Sequence, residues 1–155
     1  GCDKGKWNER GINTHHAISA VCRNIMGGFA SSRFHRPYEG LGLTEPALNC
    51  IRSIREIESS VKIWELENIS DLTTEEGKEA YLRSSEEKVF LLYLPAGGKV
   101  HLELKDSGAT YLRKWMDTAD AEWRDESSFE ANRKVELDSQ GDRSCFALLV
   151  RKDGV

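Results

Sequence analysis

The 155-residue chain has little of what rigid, cross-linked or membrane-spanning proteins are built from. It carries three prolines and four cysteines. Cys2, Cys22, Cys50 and Cys145 contain no Cys-x-x-Cys pair, so they match neither a disulfide-dense scaffold nor a zinc knuckle, and free thiols are expected. Apolar runs reach six residues, as in Val89–Leu94, far below the ~20 needed to span a bilayer as a helix. A membrane is therefore not expected as a partner. Basic charge is also short: 22 Lys and Arg against 26 Asp and Glu leave a formal charge of −4. Without a basic excess there is no electrostatic footprint for phosphates, and nucleic acid is not expected either. No G-x-S-x-G elbow, G-x-x-x-x-G-K-[ST] loop or G-x-G-x-x-G fingerprint occurs, which argues against nucleotide binding and leaves no cofactor to expect. His15, His16, Cys22 and His35 show no metal-ligand spacing, and no metal site is expected from them.

What is present is a globular composition, 39% hydrophobic and 31% charged. The chain opens Gly1-Cys2-Asp3-Lys4 and its first methionine is Met26, a beginning that fits a piece of a longer protein. Ile18, Val21, Cys22 and Ile25 stand at i, i+3, i+4 and i+7, which predicts a helix over 14–26 with one buried stripe. Gly27-Gly28 supplies its stop. Phe29 to His35 is short and bounded by Gly-Gly and Arg36-Pro37, so a strand is expected there. Thr44-Glu45-Pro46 opens a second helix, with Leu48, Ile51, Ile54, Ile57 and Val61 as its apolar stripe.

From about Tyr81 the period falls from 3.6 to 2, placing a boundary within the polar stretch 70–78. Val89–Leu94 is apolar on both faces. After Pro95-Ala96-Gly97-Gly98, Val100, Leu102 and Leu104 alternate with His101, Glu103 and Lys105, which predicts a hairpin with a solvated outer face. Further strands are expected at 110–116, 134–137 and 145–151, a spacing that favours a small sandwich.

The densest group of chemically able side chains is Arg33-Phe34-His35-Arg36-Pro37-Tyr38-Glu39. It sits where the expected strand runs into a loop before a helix, the catalytic face of a β/α unit. Arg33 and His35 share one side of such a strand and could both address a substrate, with Arg36 beside them. The competing reading pairs Arg33 with a carboxylate and packs His35. Glu9 is a loop carboxylate that could join the same face; the competing reading leaves it on the surface.

The segments His15–Ala30, Arg33-Phe34-His35-Arg36-Pro37 and Gly40-Leu41-Gly42-Leu43 before Ile51-Arg52 resemble the closing βα units of the apiosidase-like (β/α)8-barrel glycoside hydrolases. The second half resembles the β-sandwich that follows such barrels, known in family descriptions as a collagen-binding domain of a collagenase. Val89 to Val100, with its Tyr-Leu-Pro-x-Gly-Gly run, and Lys114-Trp115-Met116-Asp117 carry that likeness; Thr118 to Glu122 and the final strand depart from it. The resemblance implies an α+β chain. Residues 1–77 would be a two-helix, one-strand remnant of the barrel, and residues 78–155 a small antiparallel β-sandwich accessory domain. It implies glycosidic bond hydrolysis by paired carboxylates in the complete enzyme, acting on a carbohydrate substrate. Glu9 is then the candidate catalytic carboxylate, and Arg33, His35 and Arg36 are candidate substrate contacts. The isolated chain is expected to be inactive and prone to self-association through its helical stripes. The alternative is a noncatalytic carbohydrate- or protein-binding or structural module, in which Trp115 and Trp123 could stack on sugar rings, although a Trp in an alternating strand is more often core.

Overall fold

A computed structural model describes residues 14–29, 44–69, 72–105 and 108–152. Helix α1 spans Thr14–Met26 and helix α2 spans Glu45–Ser60. A short 3-10 turn, Ile63–Glu65, leads into the strands. These are β1 (Glu67–Ile69), β2 (Tyr81–Ser85), β3 (Val89–Leu94), β4 (Lys99–Glu103), β5 (Thr110–Asp117), β6 (Trp123–Glu130), β7 (Lys134–Asp138) and β8 (Cys145–Arg151). The α+β class expected from the sequence is what the described residues show, and they contain no closed barrel. The strand expected over Phe29 to His35 falls almost wholly outside them.

Both helices form where the periodicity places them. α1 ends in a left-handed turn at Gly28, φ 88°, where Phe29 N–H reaches back to the Asn24 carbonyl at 3.0 Å, closing the last helical carbonyls. In α2 the buried stripe is rotated from the expected one: Ala47, Cys50, Ser53, Ile54 and Ile57 are buried while Leu48 is exposed. Ser53, buried on that stripe, satisfies its hydroxyl on the Asn49 carbonyl at 3.0 Å.

Six strands make one antiparallel sheet in the order β1-β2-β3-β8-β5-β6, and β4 pairs β7 in a separate two-stranded sheet. The expected hairpin between Val89–Leu94 and Val100–Lys105 does not form. β3 bonds β2 and β8 instead, and the chain passes into the second sheet through the turn at Pro95. That crossing is set by glycine: Gly97 sits at φ 57°, and a Cβ there would lie 2.1 Å from the Gly141 carbonyl oxygen. The turn can therefore press against the 139–143 loop and deliver β4 to β7.

The result is three layers. One core lies between the two sheets and includes Phe90, Leu92 and Leu94 of β3, Val100 and Leu102 of β4, and Ala147 and Leu149 of β8. A second core lies between the six-stranded sheet and the helices. It joins Ile18, Cys22 and Met26 of α1 and Cys50, Ile54 and Ile57 of α2 to Leu91, Tyr93, Phe146 and Leu148. Alternate residues of β3 and β8 thus enter opposite cores, which is why both strands read as unbroken apolar runs. Strand β1 pairs with β2 across the 77/78 position.

Arg83 fastens the helical layer to the sheet. It is 6% exposed, on the helix side of β2, and its guanidinium donates from Nε to the Leu66 carbonyl at 3.0 Å and from Nη1 to the Ile25 carbonyl at 3.1 Å. Nη2 also donates to Leu66. Burial lowers its pKa. Replacing Arg83 with Met should leave the Leu66 carbonyl unpaired at about 1–3 kcal/mol, while the Ile25 carbonyl keeps the Gly28 N–H at 3.0 Å, so a loss of about 2 kcal/mol is expected in urea unfolding. Arg55→Ala, which removes an exposed ion pair with Glu58, should cost less than about 0.5 kcal/mol. Equal losses in the two variants would show that the Arg83 contacts are dispensable.

Candidate functional site

Among the described residues there is a groove of about 850 Å³. Its walls come from β5 and β6 on one side, β7 and the 139–143 loop on the other, with Cys145 below. A bulge opens the mouth. Between the pairs Arg113↔Ser127 and Trp115↔Arg124 strand β6 carries one residue more than β5, which bends it away and turns Asp125 and Glu126 toward the groove. Asp125 takes up φ 53°, and Gln140 on the opposite wall φ 55°, left-handed conformations that Asp tolerates better than most residues.

The lining is strongly polar. Asp117, Asp125, Glu126, Glu136, Asp138 and Asp142 face Arg113, Arg124 and Arg143. Asp117 is buried, accepts from the Ala119 N–H at 2.9 Å and pairs with Arg143 at 3.5 Å. Arg124 pairs with Asp120 in the turn between β5 and β6. Arg113 donates from Nη2 to Ser127 Oγ at 3.2 Å and lies 5.8 Å from the Phe129 ring centroid, while its buried Nε has no partner. A buried donor left unpaired is costly. Carboxylates and guanidinia at this density can hold vicinal hydroxyls by paired hydrogen bonds. Trp115, 7% exposed, is mainly a core residue, and the half-buried Trp123 has the Lys114 ammonium 4.2 Å from its ring centroid. Neither offers an open stacking face.

Glu75, His101 and Glu136 form a second cluster, with one donor atom from each within 4.8 Å of the others. His101 and Glu136 are register partners on β4 and β7, and Glu75 bonds His101 Nε2. Glu75 is held in place by its own N–H, which donates to the Lys99 carbonyl at 2.8 Å. The donor set suits a divalent cation, but the Lys99 ammonium already pairs with Glu136 at 3.4 Å, and the arrangement works as a charge network bracing the turn on β4. No spacing motif could reveal it, because its members come from three distant segments joined only by register.

Glu9, Arg33, His35 and Arg36, the candidates raised from the sequence, lie outside the described residues. No pattern in the sequence points to the groove, because β6 is an edge strand of mostly polar residues and gives no alternating apolar signal.

No family model matches the chain, and no curated protein matches its sequence. Solved structures do. One is a glycoside hydrolase family 5 protein from Bacteroides vulgatus, with a TM-score of 0.68 and 16% identity over 89% of this chain and 36% of that one. A second, described as a glycoside hydrolase, gives 0.63 and 15% over 91% and 38%. The chain spans little more than a third of the length of either structure. At these identities the likeness is one of fold, and the fold is one that forms part of glycoside hydrolases.

Alkaline pH should expose the chemistry of the groove floor. Burial, then the neighbouring Asp117 charge, pushes the Cys145 thiol from 9.0 up to about 12. A group whose pKa is raised by folding contributes fully below its unfolded value and loses that contribution as pH climbs toward the folded one. Stability should therefore fall between about pH 9 and 12, by up to about 1.4 kcal/mol per pH unit for this group. Buried Tyr93 is shifted in the same direction by burial. Cys145→Ala should flatten the decline without abolishing it; identical slopes in urea titrations at pH 9 and 10.5 would assign the decline elsewhere.

Proposed function

We propose that this chain is the accessory β-sandwich of a glycoside hydrolase together with the closing helix-strand-helix of its catalytic barrel, and that the groove between β5–β6 and β7 contacts carbohydrate. The carrying observation is the fold likeness, which takes in 89% of the chain and maps it onto a minor part of a glycoside hydrolase. The apiosidase-like resemblance narrows the reading to that group of (β/α)8 enzymes. Residues 1–77 then belong with the barrel and 78–155 with the accessory domain.

Under this reading the division of chemistry is clear. Hydrolysis requires an acid and a second carboxylate held about 5–10 Å apart across the scissile bond, each fixed by a strand end of the closed barrel. Glu9 is the carboxylate this chain would bring to that pair, and Arg33, His35 and Arg36 would position sugar hydroxyls at the barrel mouth. The groove supplies a separate polar surface, in which Arg113, Arg124 and Arg143 stand among carboxylates. That same feature favours a second reading, a noncatalytic carbohydrate- or protein-binding module whose whole interaction surface is the groove.

The 155-residue chain should be retarded in gels containing a plant polysaccharide from a broad panel, and Arg113→Ala should weaken that retardation about fivefold or more with a nearly unchanged melting temperature. Retardation by no polysaccharide would remove the groove from carbohydrate binding. In parallel, the chain should release no chromophore from aryl glycosides. Turnover above background that disappears in Glu9→Gln would overturn the assignment of catalysis to the complete enzyme.

A further inference from the structure

Cys22 on α1 and Cys50 on α2 meet in the core between the helices and the sheet. Both are fully buried, and their sulfurs lie 3.6 Å apart. We infer that these two thiols are an oxidative cross-linking site, closing to a disulfide that staples α1 to α2. The inference stands independently of the glycoside hydrolase reading.

Geometry selects this pair. The sulfurs already touch, so a bond of about 2.05 Å needs an approach of about 1.5 Å, within the reach of side-chain rotation and a small helix shift. Cys145 cannot compete from its native position. It belongs to the core on the opposite face of the six-stranded sheet, whereas Cys22 and Cys50 share the helix-side core with Ile18, Ile54 and Tyr93. The pair also has unequal partners. The hydrogen bond between them, with burial second, raises the Cys22 thiol well above its ordinary pKa, and the same hydrogen bond lowers that of Cys50. In the opened layer, where that hydrogen bond is broken, either thiol can make the first attack.

The reaction balances with a small-molecule disulfide as oxidant. One of the two cysteines, as its thiolate, attacks one sulfur of the oxidant, whose S–S bond breaks and releases a first thiolate. The other cysteine then loses its proton, attacks the first cysteine's sulfur in the mixed disulfide and expels the second thiolate. Two protein thiols are oxidised, one oxidant disulfide is reduced to two thiols, and the two protons pass to those leaving groups. Because both sulfurs are buried, the steps occur while α2 is still docking or during transient opening of the helical layer. The closed loop runs from Cys22 to Cys50, long enough for the cross-link to restrict the unfolded chain appreciably.

The test is to refold the reduced 155-residue chain in buffers of reduced and oxidised glutathione, alkylate it in denaturant, and map the peptides by mass. Expected is protection of Cys22 and Cys50 from alkylation, a mass lower by about 2 Da, and one cross-linked peptide joining them, with Cys145 alkylated. The oxidised chain should melt about 5–10 °C above the same chain held reduced. Cys2→Ser should keep both the cross-link and the melting shift; Cys22→Ser should lose both. Should Cys22→Ser fail to fold, the peptide map of the unaltered chain decides. Full alkylation of Cys22 and Cys50 at every glutathione ratio in a folded chain, a cross-link running to Cys2 instead, or an oxidised chain that melts no higher would each overturn the inference.

Discussion

Everything in this molecule hangs on two strands that must be covered on both faces. β3 and β8 lie side by side at the centre of the six-stranded sheet, pairing Leu91 with Leu148 and Tyr93 with Phe146 on one side and Phe90 with Leu149 and Leu92 with Ala147 on the other. All eight are buried, and at about 25 cal/mol per Å² of apolar surface neither face can be left to water. The two-stranded β4–β7 sheet covers one face and the helices cover the other. Tyr93 illustrates the demand: it packs 4.8 Å from the Phe146 ring centroid and still finds a partner for its hydroxyl in Ser144.

The helical layer consequently shares a core with the six-stranded sheet. Arg83 ties the end of α1 and the Leu66 carbonyl to β2, Asn49 of α2 donates to the Ala119 carbonyl in the β5–β6 turn at 2.6 Å, and Lys114 reaches Ser60 at 3.4 Å. Polar contacts of this kind fix orientation where the apolar contacts supply cohesion. They also bear on the proposed function. If α1 and α2 are the last helices of a catalytic barrel, the sandwich is seated on that barrel through a continuous core, and its role includes bracing.

The groove answers a different requirement. It opens where the sheet is least regular, at the β6 bulge and the 139–143 loop, and it gathers charged residues that the cores exclude. Irregular backbone at a concave polar surface is a common way for a rigid scaffold to present binding groups. Gly97 connects this surface to the core, since its lack of a side chain lets the β3–β4 turn press on the very loop that forms one groove wall.

Much of the architecture was legible in the residues. Ile18, Val21 and Cys22 announce α1, Thr44-Glu45-Pro46 the start of α2, the six-residue apolar run of β3 a strand buried on both faces, and residues 145–151 a further strand, because side-chain periodicity is a local property of the backbone. Tertiary structure alone decided the rest. The partner of β4 is β7 and not its neighbour β3, since strand pairing depends on how two sheets close over one core. The polar edge strand β6 exists because β5 offers it a free edge, and its own residues carry little apolar signal. Arg113, Asp125 and Glu136 become one surface, and Cys22 and Cys50 one contact, only when distant segments are brought together. Chain spacing contains no record of such proximity, because it is fixed by packing on the shared sheet.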